Sequence, residues 1–285
     1  MDKKTTINDK KNIVLVIQFR GQRFSGWQRQ KNAQTVQETL ENGIEQLTGQ
    51  HLITNGCSRT DAGVHARLMV TSLHGPNLPL SAYCLGLNPW LPHDVKVINT
   101  ALAPEGFSAR FSTTGKTYCY RVLNAPVAMP MLSINAWTTY QYLNVEKMSE
   151  AGALLHGEHD FSSFRAAADK SPHSIRYIKE IRITRRGRIV EIWVTGNAFL
   201  TNMVRIIAGT LVSVGLGKHQ PSWVKDVLDA RDRTMAGQTL PANGLTLESV
   251  YYAPEDLKPL KFLFDDPFLK PVAEVIWKRR HKIKI

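Results

Sequence analysis

Cysteine is scarce in this sequence, and its few copies are far apart. The three cysteines, Cys57, Cys84 and Cys119, form no Cys-x-x-Cys pair, which argues against a zinc ribbon and against a disulfide framework. Such cysteine usage is typical of a reducing cytoplasm. Long hydrophobic runs are also missing: no stretch approaches the roughly 18 apolar residues that span a bilayer, and the polar N-terminus lacks the apolar region of a signal peptide. These absences predict a cytoplasmic protein with no membrane-spanning segment.

Acidic residues are few relative to basic ones. Lys and Arg total 36 against 24 Asp and Glu, so the net charge is +12 and the pI is near 9.7. A charge this far from zero favours polyanionic partners, with nucleic acid first and an anionic membrane surface second. The alternative is a basic but otherwise ordinary enzyme. With 285 residues, of which 43% are hydrophobic, the chain can build one large core or two modest ones, and two domains are favoured.

The first half of the chain predicts the element order β-α-β-β-α-β, which is the ferredoxin-like unit. A helix is predicted from Thr35, with Glu38 three residues later as a possible capping box and Gly49 as its end. A second, short helix is predicted over 81–87. Strands are predicted over 13–19, 51–55, 68–73 and 95–102.

The second half predicts a similar mixture. Asn144, Asn197 and Ser222 are expected to cap helices, the second of them covering about 199–214. Strands are predicted over 116–123, 175–183, 189–194 and 247–252, with a hairpin at Arg185-Arg186-Gly187-Arg188. The predicted fold class is α+β, with two ferredoxin-like (RRM-like) halves and mainly antiparallel sheets. The predicted division is a disordered leader (1–12), two domains (13–111 and 112–256) and a basic C-terminal extension (257–285), which is either a solvated terminus or an arm for RNA.

The most unusual segment is GCSRTDAGVHA, which begins at Gly56 and lies between two predicted strands. Gly56 and Gly63 permit tight turns. The segment places the carboxylate of Asp61 two residues from Arg59 and four from His65. A neighbouring guanidinium favours an ionised carboxylate, which can act as a nucleophile or a base. The alternative is an Asx turn, in which Asp61 only bonds nearby backbone N–H groups.

Arg59 to Ala66, read as RTDAGVHA, resembles the active-site signature of the bacterial tRNA pseudouridine synthase A (TruA) family. Further segments that resemble motifs of that family follow in family order, so that the resemblance covers about residues 13–252: Gly26-Trp27-Gln28-Arg29-Gln30; Asn88, Leu91-Pro92 and Asp94-Val95; Ala109-Arg110-Phe111, Lys116 and Tyr118-Cys119-Tyr120; Gly157-Glu158-His159-Asp160-Phe161 with Ser163-Phe164-Arg165; Asn197-Ala198-Phe199-Leu200, Met203-Val204-Arg205 and Gly209-Thr210-Leu211; and Gly244-Leu245. The chain departs from the family pattern at Ser58, Arg20 and Thr201-Asn202.

The resemblance implies a tRNA pseudouridine(38-40) synthase that isomerises uridine to pseudouridine at positions 38, 39 and 40 of the anticodon stem-loop. It implies a homodimer, an active-site cleft and no cofactor or metal, because the reaction involves no redox change and loses no atom. Asp61 matches the catalytic position. Attack on the sugar, addition to the base and removal of a sugar proton all remain open as its first step.

The resemblance also implies substrate-binding residues. Tyr118 would stack on the target base and take part in proton transfer, Arg205 would pair with the aspartate, and Leu245 would pack against the base. Without the resemblance, Tyr118 and Leu245 would read as core residues. Arg59 and His65 would hold RNA or help to flip the base, although a structural role is also open for His65. Phosphate contacts are expected from four basic residues, Arg23, Arg29, Arg110 and Lys116. Each of them could equally be an ordinary surface residue.

Three competing functions stay open. The first is an RNA-binding protein or tRNA folding chaperone without catalysis, the second is a uridine N-glycosidase, which would release the base, and the third is a synthase with a different RNA target. A metal site at His156, Glu158 and His159 is not expected, because these residues fall in or beside a structural family block.

Overall fold

The computed structural model describes residues 10–253, which form two compact units. The first contains the described residues up to Thr114 and those from Ser249 onward, and the second contains Gly115–Glu248. Most of the predicted leader and all of the predicted basic extension lie outside the described residues. No helix within 10–253 is both long and apolar enough to cross a membrane.

The first unit is an antiparallel sheet with one long helix. Strand β1 pairs with β3 on one side and β4 on the other, and the short β2 pairs with β3. Its long helix is α1 (Val36–Thr48), and the strands that lie wholly within it are β1 (Lys10–Phe19), β2 (Asn55–Gly56), β3 (His65–Pro76) and β4 (Val95–Leu102). The α1 boundaries are confirmed, since Thr35 Oγ1 accepts a hydrogen bond from the Glu38 amide and Gly49 ends the helix in the left-handed conformation.

Two predictions in this unit need correction. Residues 10–12 belong to β1 rather than to a disordered leader, because Asn12 donates hydrogen bonds to the carbonyls of Pro104 and Phe107, each at 2.8 Å.

Residues 51–54 form no strand, because side chains of α1 occupy the backbone groups of Thr54. Glu41 Oε1 accepts from its amide at 2.8 Å, and Gln37 Nε2 donates to its carbonyl at 3.0 Å. The short helix predicted over 81–87 is present as a π-helix at Ala82–Gly86, which a 3₁₀ turn at Asn88–Trp90 follows.

The second unit is also mainly antiparallel, with strand order β5-β9-β8-β7 and the short β6 parallel to β5. Its strands are β5 (Thr113–Asn124), which begins at the boundary, β6 (Trp137–Thr139), β7 (Gly157–Asp160), β8 (Ile175–Arg186) and β9 (Ile189–Gly196). Its helices are α2 (Pro130–Ser133), α3 (Val145–Ala153), α4 (Met203–Gly215) and α5 (Trp223–Ala230).

The predicted caps of this unit fare differently. Asn144 caps α3, since its side chain accepts from the Lys147 amide at 2.8 Å. Asn197 does not cap α4, because its Oδ1 accepts instead from the amides of Tyr177 and Ala198. Helix α4 therefore begins later than predicted, after Asn202. Ser222 precedes α5 but makes no side-chain cap.

Strand β10 (Leu245–Tyr252) contributes to each unit in turn, although the predicted division gives it wholly to the second domain. Its first half joins the second unit through hydrogen bonds from Arg121 to Thr246 and Glu248. Its last residue joins the first unit through a bond from the Tyr252 hydroxyl to the Ala109 carbonyl at 2.9 Å.

The helices and strands of the two units confirm the predicted mixed α and β composition with mainly antiparallel strands. The ferredoxin-like detail stays a prediction.

Candidate active site

The loop that carries Asp61 is held by backbone hydrogen bonds on both sides of that residue. The Trp27 amide donates to the Thr60 carbonyl at 3.1 Å, and the Gly63 amide donates to the Phe24 carbonyl at 3.1 Å. Within the loop, the Val64 amide donates to the main-chain carbonyl of Asp61 at 3.2 Å. Asp61 itself is partly exposed, whereas Thr60 is buried. The loop is therefore a fixed turn that leaves its carboxylate-bearing residue near the surface.

Two glycines allow this close approach between segments. Gly26 has a φ of 89°, and a Cβ there would stand 2.5 Å from the Thr60 carbonyl oxygen. A Cβ on Gly21 would collide with the Val64 carbonyl oxygen. Any larger residue at either position would push the Asp61 loop outward. Trp27 is buried and its ring packs against Gly56. The Gly-Trp-Gln motif therefore packs against the segment that carries Asp61.

The other predicted residues of the first unit occupy different environments. Arg59 is exposed on the Asp61 loop. His65 is 5% exposed at the start of β3, and its Nδ1 accepts a hydrogen bond from the Gly21 amide at 3.2 Å. Arg110 is exposed and lies over the ring of Phe111, 5.1 Å from its centroid. Arg59 and Arg110 are thus open to solvent, whereas His65 has a structural contact.

Tyr118 lies on β5 in the second unit and is 6% exposed. Its ring meets the ring of Phe199 edge to face, with centroids 5.2 Å apart and an interplanar angle of 87°. Such a contact holds one edge of the tyrosine and fixes the orientation of its ring plane.

Arg205 projects from the first turn of α4 and is partly buried. Its Nε donates to the Leu240 carbonyl at 2.7 Å, and its Nη1 donates to Asn202 Oδ1 at 2.7 Å. These two bonds to neutral acceptors orient the guanidinium. The expected pairing of Arg205 with an aspartate stays a prediction.

The segment that brings the Leu240 carbonyl to Arg205 depends on two glycines. A Cβ on Gly209 of α4 would collide with the Gln238 carbonyl oxygen, and a Cβ on Gly237 would stand 2.6 Å from the Thr210 amide nitrogen. Thr210 Oγ1 accepts from the Gly237 amide at 3.0 Å. The Gly-Thr pair in α4 therefore seats the 236–240 segment directly against the helix. Sequence reasoning did not single out this segment, whose only signal is Gly237.

Leu245 is the first residue of β10 and is 5% exposed. The preceding Gly244 has no room for a side chain, because a Cβ there would stand 2.6 Å from the Tyr120 ring. The Tyr120 hydroxyl donates to the Pro241 carbonyl at 2.8 Å. Burial raises the pKa of Tyr120 far above its ordinary value, while the nearby positive charge of Arg205 lowers it. Tyr120 thus packs against Gly244, next to Leu245, and binds the Pro241 carbonyl.

The residues expected to contact phosphate differ in availability. Arg23 and Arg20 both form ion pairs with Asp94, at 3.3 and 2.7 Å. Arg20, where the sequence departs from the family pattern, is therefore paired with a carboxylate in this chain. Arg29 lies between Glu38 and Glu41, at 3.5 and 3.6 Å.

Lys116, another residue expected to contact phosphate, lies on β5 and is partly exposed.

The histidines considered as metal ligands contact each other through the backbone: His159 Nε2 lies 2.8 Å from the His156 carbonyl oxygen. Among residues 10–253, no group of three or more His, Cys, Asp or Glu side chains is placed to hold a metal ion.

Comparison with known proteins gives a consistent result. A family model described as "tRNA pseudouridine synthase" matches residues 151–253. The tRNA pseudouridine synthase A of Myxococcus xanthus is 42% identical over 242 residues, which is 84% of this chain and 91% of the relative. That of Clostridium acetobutylicum is 42% identical over 246 residues, covering 85% of this chain and all of the relative.

Among solved structures, the archaeal box H/ACA sRNP Nop10-Cbf5 complex matches 83% of this chain and 62% of its own, at 10% identity and a TM-score of 0.36. That likeness is too weak to bear on the fold. The sequence relatives define the class, which is that of the pseudouridine synthases, a group of isomerases. Within that class, the chain belongs to the tRNA pseudouridine synthase A family.

Proposed function

We propose that this protein converts uridine to pseudouridine at positions 38, 39 and 40 of the tRNA anticodon stem-loop, with Asp61 as the nucleophile. The observation that carries the proposal is the Asp61 loop, which presents the RTDAGVHA signature in a turn fixed at Thr60 and Gly63. A fixed backbone supports catalysis because the carboxylate needs little reorganisation when it meets its substrate.

The reaction needs only a carboxylate and a site that holds the base. The C1′–N1 bond breaks, the base turns, and C5 bonds to C1′ while a proton moves from C5 to the solvent and N1 gains one. Asp61 can begin this sequence at the sugar carbon, at the base or at a sugar proton, and no cofactor or metal is required. Extruding a stacked base costs a few kcal/mol, which contacts between basic side chains and phosphates would offset.

The second unit would supply the groups that recognise the base. Tyr118 would stack on it, with its ring plane set by Phe199. Arg205 would pair with the catalytic carboxylate, and its bonds to the Leu240 carbonyl and to Asn202 would orient the guanidinium for that role. Leu245 would pack against the base. In the first unit, Arg59 and His65 would help to flip the nucleotide, and Arg110 would bind phosphate.

The family supplies the remaining parts of the proposal. We infer a homodimer that works in the cytoplasm, with two ferredoxin-like halves around a central cleft that receives tRNA. The net charge of +12 supports a polyanionic substrate. All three cysteines lie in the described part of the chain and none of them forms a disulfide, which supports a reducing compartment.

The test is to incubate unmodified tRNA with the wild-type protein and with Asp61→Asn, in buffer with a chelator, and to map pseudouridine by position. Asp61→Asn keeps the size of the side chain and removes its charge, so we expect a loss of at least about a thousandfold in rate. Asp226→Asn, an exposed aspartate on α5, is the matched control and should keep wild-type activity.

The alternatives give different results in the same assay. Free uracil would identify an N-glycosidase. Binding of tRNA that weakens with salt, without any product, would indicate a chaperone. Pseudouridine at other positions or only in other RNAs would identify a synthase with a different target. Full activity of Asp61→Asn would overturn the assignment of the nucleophile.

A further inference from the structure

Asn202 is held in an unusual backbone conformation directly before α4. Its φ is 61° and its ψ is 3°, and only one other residue besides glycine, Arg231, has a positive φ among residues 10–253. The left-handed region is unfavourable for side chains with a Cβ, and asparagine tolerates it better than most. A residue kept in this region points to a constraint from its surroundings.

The side chain of Asn202 does not cap helix α4, although the residue occupies the N-cap position. A residue in front of a helix commonly bonds the backbone amides of the first turn, but Asn202 makes no such side-chain cap. Its Oδ1 accepts instead from Nη1 of Arg205, at 2.7 Å. Together with the bond from Nε to the Leu240 carbonyl, this contact fixes the guanidinium at two separate nitrogens.

A second residue, Asp169, holds the backbone that carries Asn202. The Asp169 carboxylate accepts a hydrogen bond from the amide of Thr201, the preceding residue. The Thr201 carbonyl accepts from the Ala166 amide at 3.2 Å. Both backbone groups of Thr201 are therefore bound by the 165–171 segment.

Asp169 is itself well anchored. It is 9% exposed and accepts from the Ser171 amide at 2.7 Å. Arg165 contacts its carboxylate at 3.4 Å and donates to the carbonyls of Asp169 and Ser171. The carboxylate thus has a fixed position from which to hold Thr201.

We propose that Asn202 and Asp169 are positioning residues for Arg205: Asn202 orients the guanidinium by direct contact, and Asp169 orients Asn202 through the backbone of Thr201. This inference rests on the proposed role of Arg205.

The sharpest test is Asn202→Gly. Glycine adopts a φ of 61° without strain, so the fold should be kept or stabilised while the acceptor for Arg205 is lost. We expect kcat on unmodified tRNA to fall about tenfold, with KM and tRNA affinity unchanged. The matched control is Arg231→Gly, which relieves the same kind of strain at φ 52° and should keep wild-type kcat.

A double-mutant cycle shows whether the effect passes through Arg205. In an Arg205→Lys background the forked donor is gone, so Asn202→Gly should cause no further loss of kcat. Additive losses would show that Asn202 acts elsewhere and would overturn the proposal. So would wild-type kcat for Asn202→Gly, or a loss that appears only in KM. Wild-type kcat for Arg205→Lys would reject the role of Arg205 itself, while pseudouridine formation by the wild-type protein judges the proposed function separately.

The Asp169 step has its own control. Asp160 is another partly buried carboxylate in the second unit, and it accepts hydrogen bonds from Ser162 and Ser174. Asp169→Asn and Asp160→Asn should both lower the melting temperature, but only Asp169→Asn should also lower kcat, by several-fold, when both are assayed well below their melting temperatures. Equal kcat values for the two variants would reduce Asp169 to a stabilising residue.

Discussion

The amide of Gly21 donates a hydrogen bond to Nδ1 of His65 across 3.2 Å, and both residues are buried. In the neutral ring this geometry places the proton on Nε2. The bond connects the turn after β1 to the residue that ends the Asp61 loop. The imidazole therefore helps to hold the loop, whatever it contributes to RNA binding.

This contact predicts a difference between two substitutions. His65→Asn can keep an acceptor near the position of Nδ1, whereas His65→Ala leaves the Gly21 amide without its partner. We expect His65→Ala to lower the free energy of unfolding by about 2 kcal/mol and His65→Asn by less than half of that. Urea denaturation measures both. If His65 acts only on RNA, the two variants will have equal stability and differ only in tRNA binding.

A second prediction concerns the glycine that faces the Asp61 loop. Gly26→Ala combines an unfavourable φ of 89° with a collision against the Thr60 carbonyl. Gly49→Ala has a comparable φ of 68° but nothing within 4 Å of the new Cβ. We expect Gly49→Ala to cost about 1 kcal/mol of stability with full activity. Gly26→Ala should reduce kcat by at least about tenfold, because it displaces the loop that carries Asp61, the proposed nucleophile. Equal activity of the two variants would contradict the tight packing around Asp61.

Helix α1 shows what the sequence can predict. Local signals decide both of its ends, namely the Thr35 cap and the left-handed Gly49. The start of α4 shows the opposite. The sequence favours Asn197 as its cap, but that side chain is taken by Tyr177, which is twenty residues away along the chain. A tertiary hydrogen bond overrides the local preference there, and no pattern near Asn197 reveals it.

The candidate site divides in the same way. Asp61 can be named from sequence because a long motif surrounds it. The groups that hold its loop cannot, because the Trp27 amide and the Phe24 carbonyl act through the backbone, which leaves no signature in residue types. The role of Asp169 cannot be predicted from sequence either, because its hydrogen-bond partner Thr201 is 32 positions away along the chain.

A third prediction concerns a buried ion pair in the second unit. Arg121 Nη2 lies 2.7 Å from Glu248, whose side chain is 2% exposed, and its Nε lies 3.2 Å from Glu191. Burial lowers the pKa of Arg121, but the opposing contributions of its surroundings, including Glu248 and Glu191, outweigh burial and leave the pKa raised. Glu248→Ala would leave a buried guanidinium with Glu191 as its one carboxylate partner, and we expect a loss of roughly 3 kcal/mol. Arg121→Met combined with Glu248→Leu should recover most of it, as measured by thermal unfolding. If the double variant does not recover the lost stability, packing rather than charge dominates this cluster.

The last prediction follows from the titration of Asp169. Burial raises the pKa of this carboxyl, but hydrogen bonds from Thr201 and Ser171 outweigh burial and hold the pKa well below its ordinary value. In the unfolded chain the pKa returns to about 4. The charged form therefore contributes stability that is complete above about pH 4 and is lost as the pH falls further.

The wild-type protein should accordingly lose stability as the pH falls below about 4, partly through this group. Asp169→Asn should be less stable than wild type by about 2 kcal/mol at pH 7. The difference should shrink towards pH 2, because this carboxyl is then protonated in the unfolded wild-type chain, which stabilises the unfolded state relative to the folded state. Urea denaturation at a series of pH values measures the gap, and repeating it in 1 M salt separates the effect from net-charge repulsion. A gap that stays constant from pH 7 to pH 2 would mean that the charge of Asp169 does not stabilise the turn at Thr201.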